Sequence, residues 1–206
     1  MSKLMLSNTT DRKIYNSLER WYLSATPNQQ IAGKTWYSEA QNFTRELSER
    51  HNICRYKAAA VTSALSPNNR WDRNKVDAES IIEAYVHLGP EAAAAVKVCT
   101  YNNNKLKAIK LLQGSIELAA KSPKTHAFAM NIGLLSNSHV TVDKWHIRAC
   151  LAHVAAGKVD TIESVTPAQY RRIEALTVKL ARVYNLKAYE LQAIIWVTIR
   201  DTWGIA

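Results

Sequence analysis

Six glycines and five prolines in 206 residues leave little punctuation for a chain of short strands. They fall between segments of helical period, and neither a strand-type alternation nor an Asn-Gly hairpin turn occurs. Three cysteines, Cys54, Cys99 and Cys150, are odd in number and far apart. That spacing argues against a disulfide framework and a metal-binding cysteine set. Free thiols packed in the core of a protein from a reducing compartment are the expectation. No apolar run approaches the roughly 20 residues needed to span a membrane. The start, "MSKLMLSNTTDRK", lacks the apolar stretch of a secretory signal. No membrane partner is expected, and the cytoplasm of a bacterial or phage-infected cell is the expected location. Phosphate-binding glycine loops, a nucleophile elbow and a His-Glu-x-x-His zinc helix are all missing. The six histidines are scattered. His146 and His153 could share a helix face, but no third ligand stands at helical spacing, so no metal and no cofactor are expected.

Apolar residues make up 47% of the chain, enough for a folded core. "DRKIYNSLERWYL" places Ile14, Leu18 and Trp21 on one helical face, and "TWYSEAQNFTRELSERH" does the same with Trp36, Ala40, Phe43 and Leu47. "CRYKAAAVTSAL" is apolar on most of its surface and predicts a buried helix ending before Pro67. "KVDAESIIEAYVHLG", "PEAAAAVKVC" and "NKLKAIKLLQG" follow as helices stopped or opened by Gly89, Pro90 and Gly114. Thr166, Pro167 and Gln169 form a helix start for "PAQYRRIEALTVKLARVYN", and "KAYELQAIIWVTIRDTWG" closes the chain. About ten helices, no sheet and no solenoid repeat predict an all-α fold. Residues 1–206 read as a single domain, with 1–60 plus 160–206 forming one lobe and 61–159 the other.

Lys plus Arg number 27 against 17 for Asp plus Glu, a net charge of +10. This excess favours a polyanion, with nucleic acid the first candidate. Three polar clusters could meet it. "LSPNNRWDRN" combines Asn68, Asn69, Arg70, Trp71 and Arg73, either as a capped loop or as a loop entering a groove, where amides read base edges and arginines hold phosphates. "TYNNNKLKAIK" offers Lys105, Lys107 and Lys110 at a helix start, either solvated or in contact with phosphate. In "KSPKTHAFAMNIGLLSNSHVTVDKWHIRAC", Ser122 suits the N-cap and Pro123 the first helical position. Lys124 then lies in the first turn, where the helix dipole disfavours a cation. Asp143 stands at the start of the next helix. A lysine at a positive helix end near a carboxylate suits amine nucleophilic catalysis; a plain helix cap is the other reading of Asp143.

In order along the chain, "ALSPNNRWDRNKVDAESI", "YNNNKLKAIKLL", "SPKTHAF", "VTVDKWHIR" and the final helix pair resemble the helix-hairpin-helix (HhH-GPD) base-excision DNA glycosylases, the superfamily of endonuclease III and 8-oxoguanine DNA glycosylase. The likeness runs from about Ala58 to Gly204. It implies a DNA glycosylase with two lobes, a cleft between them, and Lys124 and Asp143 lining it. Lys124 would attack C1′ of a flipped-out nucleotide, and Asp143 would orient it and stabilise charge on the sugar. The resulting Schiff base would permit AP lyase cleavage. Asn68 and Arg73 would contact the orphaned partner base, and Trp71 would act as a wedge or pack in the core. Asn69, Arg70, Lys105, Lys121, Ser122 and Arg148 complete the expected DNA contacts. The implied partner is double-stranded DNA carrying a modified base, bound by a monomer. Ala120 and Ser122 occupy hairpin positions that are normally glycine, and Trp145 stands where histidine is usual. The cysteine quartet of the cluster-bearing branch is missing, so no iron–sulfur cluster is expected. A phage-type base-modification enzyme on this scaffold and a catalytically inactive DNA-binding protein are the alternatives.

Overall fold

The computed structural model describes residues 6–118, 122–134, 136–151 and 164–203. Among these, ten helices and no strand occur: α1 Asp11–Leu23, α2 Pro27–Arg50, α3 Arg55–Leu65, α4 Trp71–Leu88, α5 Pro90–Ala95, α6 Asn102–Gln113, α7 Pro123–Ile132, α8 Lys144–Cys150, α9 Pro167–Val183 and α10 Ala188–Thr202. The expected all-α class is what the backbone shows. Among the described residues no helix is long and apolar enough to cross a membrane.

Two helices begin with the same device. Thr166 Oγ1 accepts from Gln169 N at 3.2 Å, and Gln169 Oε1 accepts from Thr166 N at 2.9 Å. Thr26 and Gln29 repeat this at the start of α2, at 3.3 and 2.9 Å. Each pair satisfies two helix-end donors, and the proline between them has no donor to lose. The second box starts α2 at Pro27, earlier than its apolar periodicity indicates.

The chain divides into a central unit, Glu39–Leu135, and a terminal unit made of Met1–Ser38 with Ser136–Ala206. These boundaries differ from the lobes sketched from sequence. The first of them falls inside the continuous helix α2, where no turn residue or change of composition marks it.

In the central unit, α3 is buried from Ala58 to Leu65 and packs against α4, α6 and α7. Its alanines give neighbouring backbones room to approach, and Leu47, Ile81, Ile82, Leu111 and Leu112 fill the space around them. The helix's few polar groups are bonded: Ser63 Oγ donates to Thr125 O at 2.6 Å, and Thr62 O accepts from Asn74 Nδ2 at 3.1 Å.

In the terminal unit, α1 packs against α8, α9 and α10 through a face that includes Ile14 and Leu18. Gly33 of α2 meets α10 closely enough that an added Cβ would lie 2.6 Å from Ile194 Cα. Cys150 is buried here, while Cys54 and Cys99 are exposed, contrary to the expectation that most thiols lie in the core. Cys54 is the N-cap residue of α3 and Cys99 precedes α6, both positions at helix ends. His146 is also buried, with Nε2 2.9 Å from Thr177 Oγ1 and no partner for Nδ1 among the described residues. Burial pushes this imidazole down from 6.5 to about 3.

Two measurements test this packing. Gly33→Ala gains up to about 1 kcal/mol of helix propensity, but overpacking against Ile194 backbone costs about 1–3 kcal/mol. The expected result is a lower thermal midpoint; an unchanged or raised midpoint contradicts the close approach. For His146, the unfolded imidazole takes a proton near 6.5 and the folded one only near 3. The stability from its neutral form is therefore complete above pH 6.5 and declines as pH falls, by up to about 1.4 kcal/mol per pH unit until the folded value is reached. Denaturant titrations of wild type and His146→Gln across that window should show the shallower acid loss in the variant.

Candidate nucleic-acid interface

The first two polar clusters meet in the central unit, and Asp77 joins them. Its carboxylate is 1% exposed. Oδ2 accepts from Asn69 Nδ2 at 2.9 Å and from Cys99 N at 2.8 Å, and Oδ1 accepts from Arg73 Nε at 2.8 Å. Two further bonds tie residues 66–70 to the stretch before α6. Thr100 Oγ1 donates to Pro67 O at 2.8 Å, and Asn68 Nδ2 donates to Tyr101 Oη at 2.9 Å. Asn68 has φ 57, a left-handed conformation that asparagine tolerates better than most residues. The result is an ordered polar edge on which Asn68, Arg70, Arg73, Lys97 and Tyr101 are exposed. Tyr101, which precedes three asparagines, is 64% exposed. Its place in the polar run "TYNNN" is the sequence signal for this exposure.

Other expected contacts have different surroundings. Asn69 and Arg73 bond the buried Asp77, so both hold the edge together. Trp71 is the first residue of α4 rather than part of the loop. It is half-buried, with ring centroids 5.9 Å from Phe43 and 6.3 Å from Phe128, which is a packing role and not that of an exposed wedge. Lys105 Nζ donates to Ala94 O at 2.6 Å and Val96 O at 3.0 Å, so it caps the end of α5 instead of standing free at a helix start.

The third cluster connects to the same helix. Lys107, one turn into α6, donates from Nζ to Ser122 Oγ at 3.4 Å. Ser122 occupies the N-cap position of α7 but makes no side-chain cap bond there. Lys107 is half-buried, and burial pushes its ammonium below the ordinary lysine value. Lys124 lies in the first turn of α7, where no acidic side chain stands, and is exposed. Of the two lysines, Lys107 is half-buried and Lys124 exposed. Lys121 and Ala120 lie outside the described residues.

Asp143 belongs to the terminal unit and Lys124 to the central one. Asp143 caps α8, with Oδ1 accepting from His146 N at 2.8 Å. Arg148, expected at DNA, is 8% exposed and lies over the Trp145 ring at 4.5 Å, because α8 is buried from Trp145 to Cys150. His153 is outside the described residues. No group of three or more His, Cys, Asp or Glu side chains gathers as a metal set among the described residues.

The chain belongs to a family of unknown function, DUF7178, which matches it over residues 1–203. No curated protein and no solved structure matches it.

Removing the Asp77 carboxylate tests whether it organises the edge. Asp77→Ala removes the acceptor of the Cys99 N–H and of Arg73 Nε and leaves the Asn69 amide only its 3.4 Å bond to Leu65 O, and should lower stability by about 2–4 kcal/mol. Amide exchange should rise first at residues 66–70 and 97–101. Equal exchange in these loops before and after substitution contradicts the assignment.

Proposed function

We propose that this protein binds double-stranded DNA through the polar edge of its central unit and acts as a DNA glycosylase, with Lys124 as the amine nucleophile. The observation that carries the reading is the convergence on α6. Bonds from Tyr101 and Thr100, just before that helix, reach the Asn-Asn-Arg loop, and Lys107 within it reaches the start of α7 that bears Lys124. Amides, arginines, an exposed aromatic and an exposed lysine are thereby associated with one helix. These residue types supply phosphate contacts, base-edge contacts and stacking. The net charge of +10 adds a salt-sensitive grip on a polyanion.

In this reading the neutral Lys124 amine forms a bond to C1′ as the N-glycosidic bond breaks. The base leaves with the bonding pair and takes up a proton. The sugar opens to a Schiff base, which water hydrolyses to an abasic site and free lysine. The base must first leave the stack. The resemblance gives Asp143 the accompanying carboxylate role. A second reading, a DNA-binding protein without catalysis, is favoured by the exposure of Lys124 and the commitment of Asp143 to a cap.

A panel of modified-base duplexes separates the two. Wild type should release a base from at least one duplex. Lys124→Gln should reduce release by at least about a hundredfold while leaving DNA affinity and thermal midpoint nearly unchanged. Asp143→Asn should keep the cap, because asparagine caps about as well as aspartate, while slowing release by about 10²–10⁴. Tight, salt-dependent binding with no release from any duplex selects the non-catalytic protein. Full release by Lys124→Gln removes Lys124 from the chemistry.

A further inference from the structure

We propose that Lys107, held half-buried against the hydroxyl of Ser122, is a second reactive amine at the start of α7, one that forms a Schiff base with the aldehydic C1′ of an abasic site. The inference rests on reading this helix start as a place of amine chemistry. It goes further by giving a product-binding reaction to a residue that the resemblance leaves without a role.

Lys107 differs from the other described lysines of its helix. Lys105 is bonded to two backbone carbonyls, and Lys110 is exposed. Lys107 has a single hydroxyl contact, and no carboxylate pairs with it among the described residues. The charged side chain that bonds α6 from α3 is another cation, Lys57, whose Nζ reaches Leu112 O at 2.6 Å. Burial lowers the proton affinity of the Lys107 ammonium, and the positive end of α7 opposes its charge in the same direction. Desolvation shifts Lys107 toward the unprotonated amine, which is the form that attacks carbonyl carbon.

The step is balanced. The Nζ lone pair bonds to the C1′ aldehyde carbon, giving a carbinolamine after proton transfer from nitrogen to oxygen. Loss of one water gives the imine. Borohydride, used as a reagent, delivers hydride to the imine carbon and leaves a stable secondary amine. The reaction needs only a preformed abasic site, so it does not depend on base release by Lys124.

The test uses a duplex carrying one abasic site with wild type, Lys124→Gln, Lys107→Gln and Lys107→Arg, each reduced with borohydride, digested and mapped by mass spectrometry. The expected result is an adduct on Lys107 in wild type and in Lys124→Gln, and a fall in trapping of at least about tenfold when Lys107→Gln is added to Lys124→Gln. An adduct on Lys124 alone overturns the inference and leaves the glycosylase reading standing. Because DNA binding could fail for separate reasons, a second measurement uses formaldehyde and borohydride without DNA. Lys107 should be methylated several-fold faster than Lys110 at neutral pH; a Lys107 no faster than Lys110 overturns the inference whatever the DNA result. Lys107→Arg, which keeps charge and length, should fold like wild type and show no adduct at position 107.

Discussion

Much of the central unit's polar surface depends on one buried carboxylate. Burying a charge costs several kcal/mol unless its lone pairs are satisfied. Asp77 meets that condition with donors from three places: the Asn69 amide, the Arg73 guanidinium and the Cys99 backbone. Because these donors lie on separate stretches of chain, satisfying Asp77 also brings residues 66–70 against residues 97–101. The Asn68–Tyr101 and Thr100–Pro67 bonds extend that union. Loops ordered before binding lose less conformational entropy when a partner arrives. The polar edge is therefore organised from beneath, by a residue that never reaches the surface.

Internal use of cations limits what the net charge can do for a partner. Lys57 and Lys105 bond backbone carbonyls at helix ends, where the dipole favours a positive charge. Arg172 donates to Leu6 O and Thr9 O at 3.0 and 2.6 Å as well as to Asp11. Arg148 and Arg200 lie over Trp145 and Trp196 at 4.5 and 4.4 Å. A count of lysines and arginines overstates the charge available to a polyanion. The exposed members that remain in the central unit, among them Arg70, Lys97, Lys110 and Lys124, are the relevant set.

Local signals carried the fold, and contacts distant in sequence decided the site. The helix start at Thr166 and the burial of α3 follow from residues within a few positions of each other, and both were legible. The matching start at Thr26 uses the same four-residue chemistry, but the apolar periodicity begins later and points to a later start. For Trp71 the sequence leaves wedge and core equally open, and Lys105 and Arg148 are expected at DNA because each stands among polar neighbours in sequence. Their surroundings are Phe43 and Phe128, the end of α5, and Trp145, and local spacing predicts little of this. A lone aspartate in a helix gives no local sign of this role, since the three donors of Asp77 lie 8, 4 and 22 positions away.

The division of the chain also has a consequence for its synthesis. The central unit is contiguous, so all of it leaves the ribosome before the second part of the terminal unit appears. Helix α1 precedes the central unit, yet the helices that cover Ile14 and Leu18 follow it in the chain. At about 5–20 residues per second, the roughly 120 residues between Leu23 and Lys144 keep that apolar face uncovered for about 6–24 s. During that interval nascent α1 exposes an apolar face of the kind chaperones bind, and a ribosome stalled anywhere in the central unit leaves it without its partners.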